Sequence, residues 1–503
     1  MKKQISFLIV LLSFSAIQAQ DASDAFRYAK DNATGTARYR AMCGAFGALG
    51  GDLSALNVNP AGSVVFANNQ IAASGSIFNT NNKSNYFGTK TTETKSALDL
   101  NQLGAVFVFE RNKGNNNWKK LAIAVNYENV ANFENSLYSA GINNNSIDGY
   151  FLSHANGVPL TIAEGTAYDY SELTFQEQQA YLGYQSYIID PVDPLNPNNT
   201  NYVSLVAPGG NYFQRNSTKT TGYNAKVSFN VATQYKDILM LGLNLNTHFT
   251  DYRNTSSFTE SNNNNTTIVD YVNNITFNNE LYTYGSGFSF QLGAIIKPIK
   301  QIRFGLAYQS PTWYKLNDEL NQNIVAVSGN NAGNLPPDVT NPNLTLIYPS
   351  YKLQTPGKFT GSFAYVFGKR GLLSFDYSLR NYSNMAFKPK NDLYFQSINS
   401  VLSKNSREHT SEYRVGGEYK IKQFSLRGGY HFEQSPYKNA TTINNLTGYS
   451  GGLGYSFGNI KLDLAYYTSQ RDYNQQFFSQ GMTDAAKIKA TANNVTFTFA
   501  LEL

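Results

Sequence analysis

Residues 373–380 read LSFDYSLR. Leu373, Phe375, Tyr377 and Leu379 alternate with Ser374, Asp376, Ser378 and Arg380. In an extended chain successive side chains point to opposite faces, so one face of this octet suits hydrocarbon while the other carries charge of both signs. The pattern recurs at residues 302–309, where Ile302, Phe304, Leu306 and Tyr308 alternate with Arg303, Gly305, Ala307 and Gln309. It recurs again at Ile460, Leu462, Leu464 and Tyr466 against Lys461, Asp463, Ala465 and Tyr467. A soluble β-sandwich also alternates, but it hides its apolar face in a core ~10 Å thick built from short strands. Here tyrosines recur near the strand ends, as the aromatic girdles of membrane barrels do.

Working outward, segments of this kind lie near 70–87, 98–110, 119–132, 219–235, 238–257, 281–297, 302–317, 353–367, 371–386, 407–420, 423–434, 446–457, 460–471 and 489–503. That makes about fourteen strands, an even number. Tight turns at 235–237, 297–300, 368–370, 420–422 and 458–459 alternate with longer connections, the longest about 85 residues between the third and fourth strands. Short periplasmic turns and long extracellular loops are the wiring of bacterial outer-membrane barrels. The expected fold is therefore all-β: a transmembrane antiparallel β-barrel over 69–503, loops extracellular and both termini periplasmic. The last strand alternates Val495, Phe497, Phe499, Leu501 and Leu503 with Thr496, Thr498, Ala500 and Glu502.

Composition agrees. The chain has 36 Tyr and 33 Phe against 2 Trp and only 15% charged residues, with negative mean hydropathy. Strands with one face in lipid and one in water give this balance. The net charge of +6 is small for 503 residues and the basic residues are dispersed, so a nucleic-acid partner is not expected. Lys2 and Lys3 precede an apolar run from Ile5 to Ile17 that is too short for a membrane helix, which reads as a signal peptide over residues 1–19. The single cysteine, Cys43, cannot form an intramolecular disulfide and reads as a small buried residue.

Two connections carry helical patterns. Thr174 and Glu177 have capping-box spacing, followed by Tyr181, Tyr184 and Ile188. After Asp392, Phe395, Ile398 and Leu402 share one helical face with Tyr394 and Val401. Either stripe packs its helix onto the barrel mouth, or the two line an apolar capture groove. Chemistry is sparse: His154, His248, His409 and His431 stand alone, without a partner at metal-ligand spacing. Neither a nucleophile elbow nor a phosphate-binding loop appears. No catalytic residue, metal or cofactor is assigned. His248 and His431 fall on inward faces as luminal polar residues.

The segment before the first strand is the most informative for function. Residues 41–67 read AMCGAFGALGGDLSALNVNPAGSVVFA, a Gly/Ala-rich run leading to Asn59, Pro60, Ala61 and Gly62. Small residues allow close backbone packing, and proline fixes a local bend. The apolar Phe46, Leu49, Leu53, Leu56, Val58, Val64, Val65 and Phe66 need burial, unlike those of a free tail. An Asn-Pro-Ala signature in this place, ahead of fourteen strands and with Tyr308-Gln309-Ser310-Pro311 beyond, resembles the FadL/TodX family of outer-membrane transporters for long-chain fatty acids and other hydrophobic compounds. The resemblance implies that residues 20–68 form a hatch in the lumen. It further implies passive uptake of a hydrophobic ligand, which leaves sideways into the bilayer near the third strand, with outer-membrane lipids as partners. Members such as the PorV-type secretion shuttle imply the alternative, a non-transporting subunit of an assembly or secretion machine with envelope-protein partners.

Charge on the lipid face of a barrel at mid-bilayer costs roughly 2–4 kcal/mol for Arg or Lys. Arg303, Asp376, Arg380, Arg414, Glu418, Lys461 and Asp463 are accordingly expected to point inward. Phe375→Arg should impair assembly far more than Asp376→Asn, measured by heat-modifiable electrophoretic migration of the folded barrel. Equal tolerance would place the sheet outside a membrane.

Overall fold

The period-two segments form one closed ring in the computed structural model, which describes residues 22–30, 32, 34–110, 117–266, 268–330 and 333–503. The signal-peptide segment 1–19 lies outside the described residues. The wall strands are β1 (Gln70–Tyr86), β2 (Thr89–Glu110), β3 (Trp118–Asn132, continued by Asn135–Asn143), β4 (Tyr212–Tyr235), β5 (Leu239–Ser261) and β6 (Tyr271–Ile296). There follow β7 (Ile302–Gln309 and Trp313–Asn330), β8 (Tyr351–Gln354 and Lys358–Val366) and β9 (Gly371–Arg380 and Ala386–Lys388). The ring ends with β10 (Thr410–Ile421), β11 (Phe424–Glu433), β12 (Ile443–Ser456), β13 (Ile460–Gln476) and β14 (Ala485–Glu502). Each strand pairs antiparallel with its neighbours, and β1 closes on β14 from Gln70↔Glu502 to Asn85↔Lys487.

The alternation translates directly into facing. Phe375 is 39% exposed on the outer surface while Asp376, one residue on, is 2% exposed in the lumen. Arg303, Asp376, Arg380 and Arg414 all hydrogen-bond to the luminal N-terminal segment. At the end of the ring that carries the tight turns, Lys236 (φ 48°), Lys422 (φ 54°), Gly368 (φ 58°) and Gly458 (φ 94°) take the left-handed conformation that short hairpins demand. The final residue also lies there, its backbone N donating to Asn69 O at 2.9 Å.

Two expectations are corrected. The connection between the first two strands is not a long loop: β1 and β2 run on to a two-residue turn at Phe87 and Gly88, both with positive φ. Residues 89–96 are polar on both faces, so alternation of apolar residues does not reveal that end of β2, although threonine suits a strand. The third strand resumes after Phe133 and Glu134, which shortens the longest loop to residues 144–211. Opposite that interruption stands Gly222 (φ 109°), where a Cβ would lie 2.1 Å from Asp251 O. Helix α1 (Ala22–Ala29) lies in the lumen, where Phe26 and Tyr28 pack with Tyr314, Tyr351 and Tyr382.

At the loop end, residues 144–211 fold into the mouth as a cap. Its parts are α3 (Asp148–Ala155), α4 (Leu160–Ala163), α5 (Phe175–Gln185) and a hairpin of Ile189–Pro191 with Tyr202–Ser204. Phe151, Leu160, Leu182 and Ile189 form one core with Phe258, Phe277 and Ile324 of the wall and Phe478 of the last loop. His154 lies in this cap between the rings of Tyr150 (4.7 Å) and Phe175 (5.7 Å). Neither ring nitrogen has a hydrogen-bond partner among the described residues, and burial pushes its pKa down to about 4 from the ordinary 6.5. The folded cap thus holds a neutral imidazole, while the opened loop binds a proton below 6.5. Cap stability should be full above about pH 6.5 and should fall as pH drops toward about 4. Hydrogen exchange of residues 144–211 should show this loss in the native chain and not in His154→Phe.

Candidate functional site

The lumen is organised by the N-terminal segment. Thr36 caps helix α2 (Ala37–Ala41), its hydroxyl accepting from Tyr39 N while donating to both Asp52 carboxylate oxygens at 2.8 Å. Burial raises the Asp52 pKa, opposed by the nearby Arg38 and by the Thr36 bond. Arg38 reaches the wall, its Nε 2.9 Å from Glu418 Oε2. Glu418 also accepts from Arg427 Nε at 2.7 Å, and Arg427 Nη1 lies 2.5 Å from Asp463. Cations and anions therefore alternate from segment to wall, as burial of charge requires. A second clamp is Asp376, whose Oδ2 accepts from the backbone N of Phe46 and of Gly47, each at 3.0 Å.

Asn59, Pro60, Ala61 and Gly62 form a turn against β5 and β6. The Asn59 side chain caps the 3-10 helix Pro60–Val65 by accepting from Ala61 N at 3.1 Å. Its amide donates to Gly47 O at 2.7 Å and to Ala294 O of the wall at 3.0 Å, and Asn230 of β4 donates to Pro60 O at 2.9 Å. This contact is permitted by glycines in the strands. A Cβ on Gly242 would lie 2.4 Å from Ala61 N, one on Gly293 2.0 Å from Asn59 Oδ1, and one on Gly305 2.2 Å from Gly47 O. Below the turn, Leu53, Leu56, Val64 and Phe66 pack on Ala72, Ala122, Ala232, Met240 and Ala500 around the ring, which closes the turn end.

Between this seal and the cap lies a polar cavity of about 60 Å³, lined by Tyr28, Tyr39, Asn57, Glu128, Lys226, His248, Tyr314, Lys358, Arg380 and Arg414 among others. Glu128 accepts from Thr34 and Asn57, which ties the cavity floor to β3. Beside it the wall is unlaced. β2 pairs with β3 only from Gln102↔Glu128 to Glu110↔Lys120. Above that, β2 continues paired with β1 and β3 with β4. Side chains span the seam: Asn129 Nδ2 donates to Asp99 Oδ1 at 2.7 Å, and Lys95 stands 3.4 Å from Glu134. On its outer lip Leu98 and Leu100 are 85% and 55% exposed.

The six loop residues expected to share an apolar groove fall into two separate packed clusters. Ile188 is fully buried, and Tyr181 and Tyr184 lie half-buried against the cap core. The capping box at Thr174 and Glu177 is present, but the buried side of α5 is Gln178, Gln179, Ala180, Leu182 and Gly183. Tyr187 (φ 57°) ends the helix, so Ile188 does not continue the tyrosine stripe. Gln179 is buried because its amide meets both Tyr150 and Gln322, a partnership no local pattern reveals. Helix α6 (Leu393–Asn405) buries Phe395, Ile398 and Leu402 against Phe387, Tyr351 and α1. His248 bonds Ser289 and His431 bonds Glu412, both inside the wall. The residues that sequence reading missed are Glu128 and the contact glycines. An isolated glycine on the inward register of a strand is the available signal for the latter.

Gly293→Val should displace the Asn59–Gly62 turn while leaving the outer face of the wall intact. The folded barrel should still assemble, with raised single-channel conductance to small ions in planar bilayers. Unchanged conductance would show that the turn does not seal the lumen.

Comparison with known proteins places this geometry. The chain superposes on the crystal structure of a Pseudomonas aeruginosa FadL homologue with TM-score 0.53 and 14% identity, covering 93% of this chain and 98% of that one. It is also similar to the P. putida toluene transporter TodX (TM-score 0.49, 14% identity, 94% and 99% covered) and to the Ralstonia pickettii toluene transporter TbuX (TM-score 0.47, 14% identity, 94% and 99% covered). No curated protein matches the sequence. The profile described as outer membrane protein transport protein (OMPP1/FadL/TodX) matches residues 199–503. The chain therefore belongs to the OMPP1/FadL/TodX family of outer-membrane transport β-barrels.

Proposed function

We propose that the protein is a passive uptake route for hydrophobic, fatty-acid-like small molecules across the outer membrane. In this reading the loops face the exterior, the tight turns and Leu503 face the periplasm, and residues 20–68 act as the hatch. The observation that carries it is the unlaced seam between β2 and β3, beside a luminal cavity and above a sealed turn end. A ligand that cannot continue past the seal has the seam as its exit, and the exposed Leu98 and Leu100 put hydrocarbon at its lip. Such an exit suits apolar cargo, because leaving water for the bilayer is favourable only for apolar surface. The family description as transport proteins supports the same class of activity. Cap opening at residues 144–211 supplies the entrance, since loops at binding mouths belong to the less stable parts of a fold. The other reading, a subunit of an assembly or secretion machine, draws on Val192, Leu195, Val269 and Ile347, which lie 60 to 92% exposed on the loops.

Asp99 and Asn129 already meet across the seam, so the pair Asp99→Cys and Asn129→Cys can lock it, while native Cys43 is buried. Oxidised cells should take up a fluorescent long-chain fatty acid no faster than cells lacking the protein, and reductant should restore uptake. Uptake that persists through a locked seam would refute lateral release. Absence of uptake in every state, together with a protein partner retained through the loops, would establish the machine-subunit reading instead.

A further inference from the structure

The wall has a second irregularity on its far side, in β7, β8 and β9. β7 is interrupted at residues 310–312, β8 at 355–357 and β9 at 381–385, all at one level of the ring. The register shows why they coincide: Gln309 faces Lys358 and Lys358 faces Arg380 below the break, while Trp313 faces Gln354 and Gln354 faces Ala386 above it. Pro311 and Pro356 stand in the first two of these gaps, and proline has no amide hydrogen for a ladder. Hydroxyls take over part of the pairing. Thr312 N donates to Thr355 Oγ1 at 3.0 Å, and Phe290 N donates to Ser310 Oγ at 2.9 Å.

The break has a cavity on each side. Inside is the polar cavity already described, bounded here by Gln309, Thr355, Pro356 and Arg380. Outside is a groove of about 910 Å³ between the wall and α6. Its floor is apolar and continuous with the lipid-facing surface: Tyr308, Pro311, Phe359 and Leu379. The rings of Tyr308 and Phe359 lie 4.7 Å apart. Its roof is the polar side of α6, with Gln396, Asn399, Ser400 and Ser403. Lys390 and Arg380 supply two positive charges against the single carboxylate of Glu408, with His409 beside it. Arg380 lines both cavities, and its Nη1 donates to Ala29 O, the last residue of α1, at 2.6 Å.

We propose that this groove is a membrane-side binding site for one single-chain amphiphile with an anionic head, seated from the lipid face of the barrel. The chain lies on Tyr308, Pro311, Phe359 and Leu379, and the head meets Lys390 and Arg380. The volume of about 910 Å³ falls in the range of small-ligand pockets, roughly 300–1,000 Å³, and gives room for a single chain. The two halves suit an amphiphile: tyrosines at this level mark the interface between hydrocarbon and water, and the net positive charge selects the head. The bound head also competes with the carboxy-terminal carbonyl of α1 for the Arg380 guanidinium, so occupancy on the lipid side is felt by the luminal segment. The site is read from the wall alone and stands whether or not the ligand crosses the β2–β3 seam.

The test uses the full-length barrel in nanodiscs with a diazirine-bearing palmitate and the corresponding uncharged alcohol, and photolabelled peptides are mapped by mass spectrometry. Label from the acid should concentrate on the peptides of Tyr308 to Pro311, Phe359 and α6, well above label from the alcohol. Ser400→Trp with Ser403→Trp, both on exposed α6 positions, should lower labelling at this site about tenfold by filling the groove. Lys390→Glu should abolish the preference for acid over alcohol. Label spread evenly around the lipid belt, equal labelling by acid and alcohol in the native chain, or labelling unchanged by the filled groove would overturn the proposal. The acid-against-alcohol comparison needs no variant, so it decides even if the tryptophan substitutions prevent folding. Loss of uptake with labelling intact would count against transport and leave this site standing.

Discussion

A sheet surrounded by hydrocarbon cannot leave a row of backbone amides and carbonyls unpaired, because no water is there to satisfy them. Closure of β1 on β14 answers that constraint, and the rest of the structure follows from it. A closed ring of fourteen strands encloses more space than its own side chains occupy, so something must fill it. Here the filling comes from the chain itself, with residues 34–66 at the turn end, α1 in the middle and residues 144–211 at the loop end. Wherever the ladder lapses, side chains substitute for it. The two places where that happens on a large scale, the β2–β3 seam and the β7–β9 break, both border the luminal cavity.

The luminal contacts show how a polar wall holds an apolar plug. Arg38, Glu418, Arg427 and Asp463 form a chain of alternating charge in which each buried ion has an opposite neighbour. Such pairs repay little of their desolvation as net stability, but removing one partner leaves an uncompensated buried charge, so they fix position. Asp376 does the same with backbone amides. Apolar contact then acts at short range. Wall alanines and glycines give Leu53, Leu56 and Phe66 their seats, and the Asn59–Gly62 turn rests directly on the backbone opposite Gly242 and Gly293.

Much of this was legible beforehand. The ring, its strand number and the inward direction of Arg303, Asp376, Arg414 and Asp463 all followed from a period of two, because lipid and lumen impose opposite chemistry on alternate positions. The reading failed where that contrast vanishes. Residues 89–96 are polar on both faces, so the half of the first hairpin that β2 contributes was not recognised. In α5 the tyrosine stripe suggested the packed face, yet Gln179 and Gly183 are buried, one through hydrogen bonds to Tyr150 and Gln322 and the other through close approach to Phe151.

By itself the sequence determined which faces of the strands meet lipid, that residues such as Leu53 and Phe66 require burial, and that Asn59 and Pro60 make a bend. Those are local matters of solvation and backbone geometry, set by each residue and its near neighbours. Only the tertiary structure decided which carboxylate clamps which amide, that α1 and α6 share a core, and that two prolines 45 residues apart face each other in one gap of the wall. These depend on register and on ring closure. They join residues separated by up to several hundred positions, and no periodicity along the chain encodes which of many compatible partners will stand opposite.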